Sequence, residues 1–215
     1  MRGLAELGLI CCNFALHSKS SKTRLLNEHN SRPKGLSFVV IGMNDEKSPL
    51  FPDEVRRLIS EHHIFSGGRR HRELVGELLP EGAVWIDIVV PLSDVYAQYR
   101  HYDEPILVFA SGDPLFFGFT TTLMREFEGR VTKTFPSFSS LQMLAHSLRL
   151  PYHDMRVVSL TGRPWLELDR ALIERAAKVG VLTDKKNTPA LIAQRMIDYG
   201  YTGYQMHIGV RLGGS

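Results

Sequence analysis

The chain has 215 residues, of which 43% are hydrophobic, and 26 Lys+Arg against 23 Asp+Glu leave a net charge of +3. That length can bury a sizeable core in one large domain or two small ones, and the charge excess is too small to point to nucleic acid. Cys11 and Cys12 are the only cysteines and stand side by side, which leaves neither a disulfide framework nor a zinc thiolate site. The nine histidines form no HxxxH or HExxH pattern, so no metal site is expected.

The stretch from Leu7 to Leu16 faintly resembles a short export signal, but Glu6 and Asn13 interrupt it and no small-x-small cleavage site follows. Ser18 to Lys34 is polar, basic and poor in apolar residues, and residues 1–35 are expected to be a flexible extension. No apolar run approaches the eighteen or so residues of a membrane span, so a cytoplasmic protein without a membrane partner is expected.

Leu36 to Ile41 is an apolar run closed by Gly42, a strand signal. Pro52 to His62 carries Val55, Leu58 and Ile59 at helical spacing. After the short apolar Ile64-Phe65 comes the basic Gly67-Gly68-Arg69-Arg70-His71-Arg72. It reads either as a solvated loop or as planar forks for carboxylates. A strand is predicted from Val84 to Val90, a helix from Ser93 to Tyr99 and a strand from Ile106 to Ala110. The turn Gly112-Asp113-Pro114 follows, with Pro114 fixing φ where a helix can begin. On local chemistry this turn reads equally as a ligand site at the carboxyl end of a strand or as a corner where Asp113 caps the helix.

Thr120 to Glu128 reads as a helix and Val131 to Phe135 as a strand. A helix after Pro136 carries Leu141, Leu144, Ala145 and Leu148 on one stripe, capped by Ser137 or Ser139. Strands are predicted from Met155 to Leu160 and from Val179 to Thr183, with a helix from Leu168 to Ala177 between them. Thr188-Pro189 opens a helix that Gly200 stops, and a last strand is expected from Tyr204 to Val210. Alternation of strand and helix predicts an α/β fold with a mainly parallel sheet covered by helices on both faces. A second unit is expected from residue 137.

No GxxxxGK[ST] or GxGxxG motif is present, so nucleotide triphosphate chemistry is not expected. The ordered turns Gly42-Met43-Asn44, Gly67-Gly68-Arg69-Arg70-His71, Ser111-Gly112-Asp113-Pro114-Leu115-Phe116-Phe117-Gly118, Pro136-Ser137-Phe138-Ser139-Ser140-Leu141-Gln142, Ser159-Leu160-Thr161-Gly162-Arg163 and Leu182-Thr183-Asp184 resemble the tetrapyrrole methylases. Within that family they look like the precorrin-6Y C5,15-methyltransferase branch of cobalamin synthesis, over roughly residues 36–214.

The resemblance implies two α/β domains, 36–136 and 137–215, with S-adenosylmethionine held between them in a homodimer. It places Gly112, Asp113, Phe116, Ser139, Ser140 and Thr183 at the cofactor, and Gly42, Asn44 and Asp45 beside the substrate. Charge matching adds Arg69, Arg70, His71 and Arg163 as holders of the carboxylate arms of an anionic tetrapyrrole. His71 is the candidate for a base that removes the displaced proton; Asp113 is expected to position rather than to exchange protons. An active protein of this kind would methylate C5, leaving C15 methylation and decarboxylation to a separate enzyme.

Three residues depart from the family pattern: Asn44 for a second glycine, Thr161 for a histidine, and Val210 for a glutamate. The family also continues for several tens of residues beyond this point, so the second domain is expected to be truncated. These departures leave two rivals, a cofactor-binding remnant or partner subunit without turnover and a family relative with another substrate.

Overall fold

The computed structural model describes residues 35–210 and 212; the expected extension over residues 1–35, with both cysteines, falls almost wholly outside them. The described chain opens with β1 (Ser37–Met43), which is buried at every position. A strand with no exposed face must be covered on both sides, and its period of two divides its side chains accordingly. Phe38 and Val40 enter one apolar cluster, whereas Val39, Ile41 and Met43 enter another across the sheet.

The chain continues through α1 (Asp53–Glu61), β2 (Ile64–Gly67), α2 (Arg69–Val75), β3 (Val84–Asp87), α3 (Leu92–Tyr99), β4 (Pro105–Ser111), α4 (Phe119–Glu126) and β5 (Val131–Phe135). These strands form one sheet in the order β3-β2-β4-β1-β5, and every pairing is parallel. Val55 and Ile59 of α1 and Val75 of α2 pack on the face with Phe65, Leu107 and Phe109. Val95, Tyr96 and Tyr99 of α3 and Leu123 of α4 pack on the other face, with Ile64, Ile106 and Val108.

Beyond the sheet come α5 (Ser140–Leu148), β6 (Arg156–Ser159), α6 (Leu166–Ile173), β7 (Val179–Leu182) and α7 (Pro189–Asp198). Strands β6 and β7 form a second, two-stranded parallel sheet. Val158, Leu160, Leu168, Ala171, Leu172 and Ile192 make a third apolar cluster that joins this sheet to α6 and α7. Helix α5 approaches β7 at Gly180, where an added Cβ would lie 3.0 Å from Leu141 Cδ1.

The α/β architecture agrees with the expectation, but several elements differ. β2 was not expected, because four residues with two apolar ones give little periodic signal; pairing with β3 and β4 and burial on both faces make it a strand. The strand expected through Val90 stops at Asp87, and Val89 and Val90 are exposed. The expected last strand does not form: residues 204–210 pair with neither β6 nor β7. Met206, Ile208 and Val210 are exposed, so no buried face sets a register there, and Tyr204 is held instead by its hydroxyl donating to the Ala176 carbonyl at 2.9 Å. No helix among the described residues is long and apolar enough to cross a membrane.

Candidate functional site

Strands β1 and β4 lie side by side in register, with Gly42 opposite Ala110 and Met43 opposite Ser111. The chain leaves β1 for α1 on one face and leaves β4 for α4 on the opposite face. Adjacent parallel strands whose connections part in this way open a crevice at their carboxyl ends, the usual ligand position in such sheets. The turns carrying Gly42–Asp45 and Ser111–Asp113 border that crevice.

Gly42 is the junction of three turns. A Cβ there would overlap the Gly112 carbonyl oxygen and come within 2.8 Å of Pro114 Cδ and 2.9 Å of the Ser137 nitrogen. It is buried, so it shapes the crevice from beneath instead of lining it. Gly112 takes φ +66°, its N–H donates to the Met43 carbonyl at 2.7 Å, and a Cβ on it would lie 3.2 Å from Ser139 Cα. That left-handed backbone suits glycine. The ends of β1, β4 and β5 are thereby drawn together.

Asp113 does not cap α4, and Pro114 does not begin it. The Asp113 carboxylate accepts the Leu115 N–H at 2.9 Å within its own turn, and Phe117 adopts φ +54°, which interrupts any helix before Phe119. Of the two candidate caps on α5, Ser139 serves. Its Oγ accepts from Gln142 N at 3.3 Å, while Gln142 Oε1 accepts from Ser139 N at 2.8 Å. The Ser139 hydroxyl is committed to the helix, whereas Ser140 is exposed.

The basic run is not a loop: Arg69, Arg70, His71 and Arg72 all lie in α2, capped by Gly68. The Gly68 N–H donates to His71 Nδ1 at 3.1 Å, and His71 Nε2 lies 2.9 Å from Ser111 Oγ. Burial pushes the His71 pKa below the ordinary histidine value, partly opposed by the Asp45 carboxylate. Arg70 Nε sits 3.6 Å from Asp45 Oδ1, and Arg69 Nε sits 3.2 Å from Glu73 Oε1. The Asn44 side chain turns to Glu46, donating to its carboxylate at 3.0 Å.

Phe116 and Arg163 line a common hollow of about 460 Å³ together with Phe117, Thr121, Thr122 and Arg125. The Arg163 guanidinium lies over the Phe117 ring, 5.1 Å from its centroid. Behind Arg163, Asp184 accepts backbone N–H bonds from Gly162, Lys186 and Asn187 at 2.9, 2.8 and 2.7 Å. Those bonds, with Asn187 the strongest, hold its carboxyl below the usual range. Thr183 is exposed beside it, and its carbonyl accepts from Thr161 Oγ1 at 3.4 Å.

The structure therefore joins Asp45, Arg70 and His71 near β4, and Phe116 with Arg163 in the hollow. Sequence reasoning missed Ser111, Arg125 and Asp184. Ser111 ends β4 and Asp184 follows β7, each within a turn of the family pattern, a signal that was present; Arg125 sits in an ordinary helix and gave none.

The sequence profile of the Tetrapyrrole (Corrin/Porphyrin) Methylases matches residues 38–214. A decarboxylating precorrin-6Y C(5,15)-methyltransferase of a Sinorhizobium species is 33% identical over 190 residues, covering 86% of this chain; the chain spans 45% of that relative's length. A cobalt-precorrin-7 C(5)-methyltransferase of Salmonella typhimurium is 30% identical over 179 residues, covering 81% of this chain and 85% of the relative. The crystal structure of a precorrin-6Y methylase from Archaeoglobus fulgidus superposes with a TM-score of 0.51 at 18% identity, covering 69% of this chain and 73% of that one, a likeness of fold.

Proposed function

This chain belongs to the tetrapyrrole (corrin/porphyrin) methylase family, and from that premise we propose that it C-methylates a corrin precursor, at C5 of precorrin-6Y or cobalt-precorrin-7, using S-adenosylmethionine. The observation that carries this reading is the meeting of two turns at the carboxyl ends of β1 and β4, where Gly42 packs against the Ser-Gly-Asp-Pro turn within the matched region. Similarity to two relatives named for methylation of such precursors supports the substrate class.

The side chains carried by these turns suit that cofactor. Asp113, held by the Leu115 N–H, offers an acceptor for ribose hydroxyls or an ammonium group. Phe116 supplies an apolar wall, and the exposed hydroxyls of Ser140 and Thr183 offer further hydrogen bonds. When bound, the cofactor brings a methyl group already activated on a sulfonium. The chain's own task is then alignment and exclusion of water, and the transfer asks for no nucleophile from the protein. Gly42 and Gly112 fix the turns, Ser139 holds α5 in place, and Arg70 and Arg163 suit the carboxylates of an anionic macrocycle.

On the same reading the cofactor lies between segments 36–136 and 137–215, and the protein acts as a cytoplasmic homodimer. It performs the C5 step, the step for which the Salmonella typhimurium relative is named. The test is incubation of the full chain with S-adenosylmethionine and either precursor, followed by mass measurement. A gain of one methyl group is expected. Cofactor binding with no mass change would overturn the catalytic reading in favour of a binding remnant.

A further inference from the structure

We propose that Ser111 presents the hydroxyl that donates to a carboxylate of the bound reactants, and that His71 is a positioning residue that orients Ser111, not a base. This rests on the methyltransferase reading above.

The argument starts at Gly68. A backbone N–H can only donate, so His71 Nδ1, 3.1 Å away, must present its lone pair. An imidazolium would set two donors against each other there, and burial already disfavours the charged ring. The neutral ring with a bare Nδ1 carries its proton on Nε2. Nε2 therefore donates to Ser111 Oγ at 2.9 Å, and neither ring nitrogen keeps a lone pair for a substrate proton.

Ser111 then holds one accepted hydrogen bond and a hydroxyl proton with no other partner among the described residues. Its position suits donation into the crevice. It is the exposed last residue of β4, opposite Met43 and directly before Gly112-Asp113. Alternation along β4 puts it on the face of Leu107 and Phe109, the face that α2 covers, which is why His71 reaches it. Arg70, one residue before His71, lies 3.6 Å from Asp45 and 3.9 Å from Glu73, both in solvent-exposed and therefore weak pairs. A ligand carboxylate that accepts from Ser111 can take up that guanidinium in exchange. Both the methionyl end of the cofactor and the acetate and propionate arms of the macrocycle carry a carboxylate.

The test compares wild type with Ser111→Ala, His71→Ala and His71→Gln, using calorimetry for S-adenosylmethionine and steady-state kinetics for the macrocycle. Loss of a hydrogen bond to a charged group corresponds to about tenfold to a hundredfold in affinity. If Ser111→Ala weakens cofactor binding by that factor, the carboxylate is the cofactor's. If it raises only the macrocycle KM, the carboxylate is the substrate's. If neither changes while wild type methylates, the proposal is overturned. His71→Ala is expected to reproduce the Ser111→Ala effect evenly from about pH 6 to 8, and His71→Gln, which keeps a donor, to recover part of it. A pH limb in kcat that disappears in His71→Ala would identify a histidine base and overturn the proposal.

Nitrogen NMR of the ligand-free protein reads the His71 tautomer without activity. The Nε2–H form is expected, and an Nδ1–H form overturns the proposal. Should wild type neither bind cofactor nor methylate, the methyltransferase reading falls and the carboxylate assignment falls with it.

Discussion

The Asp184 carboxylate reaches back to the backbone N–H of Gly162 at 2.9 Å, tying the turn that carries Arg163 to the turn that carries Thr183. The same carboxylate gathers the N–H groups of Lys186 and Asn187, so one ionised side chain organises both turns at the ends of β6 and β7.

That arrangement sets an acid limit. The folded-state pKa of Asp184 is depressed below the ordinary 3.8, so its stabilising contribution is complete above that value and is lost as pH falls through the folded pKa. Denaturant midpoints followed downward from about pH 5 should fall less steeply in Asp184→Asn than in wild type. Parallel curves would remove Asp184 from this role. Asp154, also depressed by Lys178, leaves the variant a residual slope.

Gly42 should not tolerate a methyl group. Its Cβ would meet backbone atoms of Gly112 and Ser137, which cannot swing aside as a side chain end can. Gly42→Ala is expected to cost about 1–3 kcal/mol in urea denaturation. Gly203→Ala, with open space around it, should stay within about 0.5 kcal/mol of wild type. Equal stabilities would disprove the close packing of the three turns.

Tyr99 ties the sheet to α3. Ser66 Oγ donates to the Ile86 carbonyl at 2.8 Å, so the Tyr99 hydroxyl, 2.6 Å away, donates to Ser66. Tyr99→Phe should lower stability by about 1 kcal/mol. Burial raises the Tyr99 pKa above its ordinary 10.0, so its contribution is present below that value and fades as pH climbs through the folded pKa. The variant's stability curve should therefore be flatter above about pH 10 than that of wild type.

Arg163 should matter for the macrocycle and little for folding, since it lies over Phe117 at the edge of the hollow shared with Arg125. Arg163→Ala is expected to raise the macrocycle KM about tenfold. Arg163→Lys should restore only part, because an ammonium lacks the planar fork. An unchanged KM in Arg163→Ala would place the carboxylate arms elsewhere.

Much of this molecule was legible in its residues. The continuous apolar runs of β1 and β4 announced strands buried on both faces, and β5 was bounded at its observed ends. Thr188-Pro189 announced α7 through a local capping bond to Leu191. Signals of this kind reside in a few neighbouring residues, so they survive without knowledge of the fold. The cap of α5 was legible as well, since only Ser139 has a glutamine three residues on, the Ser-x-x-Gln capping box that the reading of Ser137 and Ser139 as equal candidates passed over.

The amino-acid sequence by itself determined the alternation of strand and helix and the order of turns that places the chain in its family. Tertiary structure alone decided that His71 meets Ser111, forty positions away, because that contact exists only once β2 has paired beside β4 and α2 has covered their common face. It also decided that Asp184 closes on Gly162 and that Tyr204 to Val210 forms no strand. A strand needs a partner's ladder and a hydrogen bond needs its acceptor nearby, and both are supplied by parts of the chain remote in sequence.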